Sequence, residues 1–136
     1  MAKLIFCLVT ENIITDTSTN LISAINIVER LQGAVIPGIK PLLYLLLQWN
    51  KETSFDQPER FTFKIRIKYP TLGYLDSPVG IIDAEIPADK SNLRFVSRIE
   101  GMPLREVGVT EFEIKQKINE GWKKVGSFPV EVRITP

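Results

Sequence analysis

Along residues 60–69 apolar and polar side chains alternate without a break. Phe61, Phe63, Ile65, Ile67 and Tyr69 take one parity; Thr62, Lys64, Arg66 and Lys68 take the other. An extended backbone sends successive side chains to opposite faces, so this stretch predicts a strand with one row in a core and one in water. Period-two patterning runs through most of the chain. A first strand covers residues 3 to about 10, with an extension through Ile13 and Ile14, and the Asp, Thr, Ser and Asn side chains of residues 16–20 suit a reversal because they bond to nearby backbone. Residues 42–49, opened by Pro41, are apolar at nearly every position and of strand length, which predicts a central strand covered on both faces. Further on, Ile82, Ala84 and Ile86 alternate with Asp83 and Glu85, and Leu93, Phe95 and Ile99 share one parity.

The last third predicts a β-hairpin. Phe112, Ile114 and Ile118 alternate with Glu113, Lys115 and Lys117, Asn119 to Gly121 turn the chain, and Val130, Val132 and Ile134 alternate back. Gly121 stands where a left-handed turn residue is wanted, and Gly126 and Pro129 in the return limb predict a bulge or an edge position. Residues 21–31 fit two elements. Leu21, Ile25, Val28 and Leu31 have helical spacing, with Asn20 to cap the start and Gly33 the end. Against that, Ile22, Ile25, Ile27 and Val28 are β-branched, and Leu21, Ser23, Ile25 and Ile27 form one strand row with Asn26 opposite. The strand is the preferred reading and the helix its alternative.

About eight strands with short connections follow, which predicts an all-β protein: one antiparallel β-sandwich domain over residues 1–136, with a closed β-barrel as the alternative. Several stretches also resemble an uncharacterised bacterial family of small β-sandwich proteins, a domain of unknown function. They are the opening strand around Phe6 and Cys7, the run Leu21-Ile-Ser-Ala-Ile-Asn-Ile after the turn, the Pro37-Gly38 loop, and the closing hairpin with its Asn-Glu-Gly turn. The resemblance implies a sandwich fold and carries no functional residue with it.

At 136 residues, 44% apolar and 24% charged, the chain is large enough to bury one sizeable core. Its net charge of +1 offers no bulk attraction to nucleic acid or anionic lipid. The single cysteine, Cys7, lies among Leu4, Phe6, Leu8 and Val9 and reads as a small core residue. That apolar run is too short for a signal-peptide core, and no run is long enough to span a bilayer, so a cytoplasmic protein is expected.

There is no histidine, which removes Ser-His and Cys-His pairs and nearly all zinc or iron sites, and no glycine-rich phosphate loop. Asp83 with Glu85, or Glu111 with Glu113, share a strand face as a catalytic carboxylate pair would, but a solvated surface has the same spacing. Asp16, Asp56 and Asp89 are scattered one to a loop, unlike a calcium site. No catalytic, cofactor or metal residue is therefore assigned. Lys64, Arg66 and Lys68 make a basic stripe, yet no aromatic residue interleaves with them, and Asp83 and Glu85 are available as cross-strand partners. The stripe reads as a charge-balanced solvent face, and neither nucleic acid nor membrane is expected as a partner.

If strands alternate up and down, residues 33–40, 70–79 and 101–109 meet at one end, and 16–20, 50–59, 87–92 and the Asn119 turn at the other. The first end is apolar, with Ile36, Leu72, Tyr74, Leu75, Met102 and Leu104 as candidate partner contacts; the second has Phe55 and little else that is apolar. These residues either plug the base of the core or meet a protein partner or a second copy of the chain. The function expected from sequence is a non-enzymatic association module, with a carboxylate-dependent hydrolase or carbohydrate-binding protein as the alternative.

Overall fold

The computed structural model describes residues 1–16, 18–19, 21–33, 35–54 and 56–134; the side chains of residues 25 and 76–79 fall outside that description, as do Asn20 and Phe55. Nine strands run through the described residues: β1 (Lys3–Thr15), β2 (Ile22–Ile27), β3 (Arg30–Gly33), β4 (Gly38–Asn50), β5 (Glu59–Tyr69), β6 (Gly73–Ile86), β7 (Asn92–Leu104), β8 (Gly108–Ile118) and β9 (Gly121–Ile134). They form a four-stranded sheet, β2-β1-β4-β7, and a five-stranded sheet, β3-β9-β8-β5-β6. The two keep separate strand orders, which sets aside the closed barrel. All ladders are antiparallel except that of β3 with β9.

The core lies where the patterning puts it. Phe61, Phe63, Ile65, Ile67 and Tyr69 of β5 are buried, and facing them from β4 are Leu43, Leu45, Leu47 and Trp49. Trp49 packs on Phe61 and Phe63 at 4.8 and 5.0 Å between ring centroids, and Phe63 meets Phe95 edge-on at 5.2 Å. Each such side chain contributes about 1.5–3 kcal/mol when fully withdrawn from water. Cys7 joins this core, and burial pushes its thiol up to about 12. β4 is central in its sheet but covered on its inner face alone. On the outer face Leu46 is shielded only sideways, by Leu8 and Val96 in the neighbouring strands.

Residues 21–31 are extended, not helical, but their facing is opposite to the expected row. Leu21 and Ile27 are exposed, while Val28 and Leu31 are buried. The cause is a crossing between sheets. After pairing with β1, the chain passes Asn26 at φ 55°, ties Val28 N to the Val9 carbonyl at 2.8 Å, and enters the other sheet as β3 beside β9. This short strand is the one not anticipated. Because β1 runs from the Asn50 end of β4 towards its start, the reversal after Thr15 falls at the same end as residues 35–37, not at the opposite end. Asp16 fulfils its turn role there, its carboxylate accepting from Ser18 N at 2.8 Å and Thr19 N at 3.2 Å.

The closing hairpin is β8–β9, with Ile118 opposite Gly121. Asn119, at φ 57°, takes the left-handed position expected of Gly121. The expected bulge is present, since the register slips at Ile114/Lys115 as β9 passes Gly126. A Cβ on Gly126 would come within 2.6 Å of Leu4 Cδ2, so the glycine lets β9 lie close over β1. β6 begins earlier than expected, and its register jumps from Ile81 opposite Lys64 to Asp76 opposite Arg66.

Ile65→Ala is expected to lower unfolding free energy by about 2–5 kcal/mol in chemical denaturation, as a truncation in a closed core. Lys68→Ala, on the other row, is expected to stay within about 0.5 kcal/mol.

Candidate functional site

The apolar segments do converge at one end. Gly38 pairs with Leu104 and Ile39 with Pro103, Tyr69 donates its hydroxyl to the Pro103 carbonyl at 2.7 Å, and Glu106 accepts from Thr71 N and Leu72 N at 3.0 Å each. The six candidate contacts separate, however. Met102 and Leu104 are buried in the core, Ile36 and Leu75 pack against it, Leu72 is 59% exposed at the tip, and Tyr74 is 41% exposed on the side of the sandwich. Tyr74 lies among cations instead of among the apolar residues.

Those cations belong to the outer face of the five-stranded sheet. Core burial of alternate residues in β5 and β8 turns Lys64, Arg66 and Lys68 outwards beside Lys115 and Lys117. The register then sets Lys64 directly opposite Lys115, and Lys115 directly opposite Lys124 of β9. Three lysine backbone positions thus line up across three adjacent strands, about 4.8 Å from one strand to the next. Their ammonium groups diverge, Lys64 to Trp122, Lys115 to Tyr74 and Lys124 to Glu111.

Two aromatic rings lie in this field. Lys64 Nζ lies 4.3 Å from the centroid of Trp122, while Arg66 Cζ, Lys115 Nζ and Lys68 Nζ lie 4.6, 5.0 and 5.7 Å from that of Tyr74. Cation–π contact of this kind is worth about 0.5–1 kcal/mol at exposed sites. The expectation that no aromatic residue interleaves with the basic stripe is corrected here. Both rings come from other strands, Tyr74 opposite Lys68 and Trp122 opposite Lys117.

Asp83 and Glu85 do not lie opposite the stripe as expected. Asp83 lies opposite Thr62 and accepts its hydroxyl at 2.7 Å, and Glu85 lies opposite Arg60 and pairs with it at 3.6 Å, so both sit beyond Lys64. On the other flank Glu111 bonds Lys124. That hydrogen bond holds the Glu111 carboxyl below its ordinary value and the Lys124 ammonium above its own. Glu113, buried opposite Arg66, accepts the Tyr74 hydroxyl at 3.1 Å and fixes the ring. Neither candidate carboxylate pair is set up as an acid beside a base; each member is engaged by a separate neighbour. Among the described residues no group of three or more His, Cys, Asp or Glu could hold a metal ion. Nor, among those residues, is any helix long and apolar enough to cross a membrane.

No family model matches the chain, and no curated protein matches it in sequence. Among solved structures, it is similar to the Pseudomonas fluorescens alkylpurine DNA glycosylase AlkC bound to DNA containing an abasic site analogue. The identity is 10%, the TM-score 0.56, and the match covers 97% of this chain and 30% of that one. At such identity the likeness is one of fold, and this chain spans less than a third of the glycosylase's length. Because the similar protein is bound to DNA, the finding corrects two sequence expectations: the association module, with its hydrolase or carbohydrate-binding alternative, and the exclusion of nucleic acid as a partner.

Proposed function

We propose that the chain is a nucleic-acid-binding β-sandwich that grips the sugar–phosphate backbone with the outer face of its five-stranded sheet. The observation that carries this reading is the gathering of Lys64, Lys115 and Lys124 in register on one outer sheet face, with Trp122 and Tyr74 among them. A line of phosphates meets cations gathered on one sheet face at several points at once. Arg66, Lys68 and Lys117 widen the footprint to either side. A net charge of +1 for the whole chain is compatible with this, because the cations are concentrated on one face. The fold likeness to a DNA-bound glycosylase supports the choice of partner. The reading assigns no catalytic step to the chain. It also favours the cytoplasm, where nucleic acid is within reach and a free Cys7 stays reduced.

Fluorescence anisotropy with labelled DNA, single-stranded and duplex, tests the reading. Binding is expected to weaken with salt, with a slope of about −3 to −5 in log K against log salt. Lys115→Glu is expected to lower affinity at least about ten-fold while keeping or raising the thermal midpoint, because it sets a carboxylate between two lysines. Wild-type protein that binds neither DNA, or a Lys115→Glu variant that binds like wild type, overturns the proposal. A separate measurement takes the opposite sign. Glu111→Gln releases Lys124 from its ion pair and adds a free cation to the face, so it is expected to tighten binding several-fold at low salt and to steepen the salt slope by about 1.

A further inference from the structure

Resting on that reading, we infer that the ligand of the basic face is an unpaired nucleic acid strand, whose bases stack on Trp122 and Tyr74 while its phosphates follow the lysines between them. The two rings mark opposite corners of the face. Trp122 lies on β9 opposite Lys117, and Tyr74 on β6 opposite Lys68. They are separated by three strand spacings, about 14 Å, across the sheet and by six residues, about 20 Å, along it. The diagonal is on the order of 25 Å, in keeping with the short end of the sites, about 4 nucleotides, that sheet platforms for single strands occupy. Lys64, Lys115, Arg66 and Lys68 lie along it, each within 6 Å of one ring or the other.

The aromatic rings decide between the two forms of nucleic acid. A duplex keeps its base faces stacked inside, and a protein reads it by inserting a helix or a two-stranded ribbon into a groove. Here, among the described residues, the cations and rings rise from a sheet face and no helix is present. Against a duplex, Trp122 and Tyr74 would meet only sugar and phosphate, where their flat apolar surface has no use. Unpaired bases offer them π-faces of the same kind, irrespective of sequence. Ile81, exposed opposite Lys64, adds apolar surface on the same face. The cations lie within 6 Å of the ring centroids, and an arriving base takes their place while the ammonium groups turn to its phosphates.

The test compares labelled oligo(dT), oligo(rU) and a duplex of the same length at one ionic strength, with wild type, Trp122→Ala and Trp122→Phe. Tighter binding of either single strand than of the duplex, by about ten-fold, is expected, and the two single-stranded arms separate DNA from RNA. Trp122→Ala is expected to lose about five- to one-hundred-fold on the single strand and little on the duplex, with Trp122→Phe recovering most of the loss. Of the two tryptophans, Trp49 is fully buried, so quenching of intrinsic fluorescence on adding oligo(dT) reports Trp122. Duplex binding as tight as that of both single strands, or a Trp122→Ala variant with unchanged preference, overturns the inference and leaves the phosphate-binding face standing. Absence of binding to all three probes instead sinks the reading on which it rests.

Discussion

Burial of Phe61, Phe63, Ile65, Ile67 and Tyr69 between the sheets commits the alternate residues of β5 to water, because a strand has only two faces. Trp49, wedged against two of those phenylalanines, makes a slip of one residue prohibitive: it would bring Lys64 and Arg66 into the core. Once β5 is fixed, the ladders carry its parity outwards to β8 and then β9, and the places of Lys115 and Lys124 follow. The core requires polar residues on that outer face; it does not require lysines opposite lysines. The gathering of cations there goes beyond what the core demands, and the proposed function is built on it.

The lysines of the row share one face in register, but their ammonium groups fan out to separate partners. Glu111 holds Lys124, and the rings of Trp122 and Tyr74 hold Lys64 and Lys115 through their electron-rich faces. On the proposed reading, a polyanion exchanges for these contacts. Glu113, fixed beneath the Tyr74 hydroxyl, keeps that ring in place through the exchange.

Local pattern made most of the architecture legible. Strict alternation identified β5, the inward rows of β6, β7 and β8, and the closing hairpin, since each depends on neighbours two residues apart. Errors arose where distant pairing decides. β2 faces the wrong way in a reading by parity, because the passage at Val28 into a second sheet resets which residues point inwards, and no local feature announces β3. Asn119 instead of Gly121 took the left-handed turn position, a choice between neighbours that either residue can fill. The functional face was half visible: Lys64, Arg66 and Lys68 stood out, whereas Tyr74 and Trp122 reach them only through the registers of β6 and β9. The irregular pairing of β6 between Ile81 and Asp76 hides Tyr74's position from any count along the chain. Tyr74 was assigned to an apolar end with Leu72 for the same reason, while Met102 and Leu104 turned out to close the core.

Amide chemical-shift mapping during titration with a short oligonucleotide tests the central claim most directly. The largest perturbations are predicted at residues 64–68, 113–117 and 122–124, with Tyr74 beside them, in one continuous patch on the outer face of the five-stranded sheet. Perturbations confined to the apolar tips around Val35, Leu72 and Val107, or to the outer face of β1, β4 and β7, with the basic face unmoved, would contradict it.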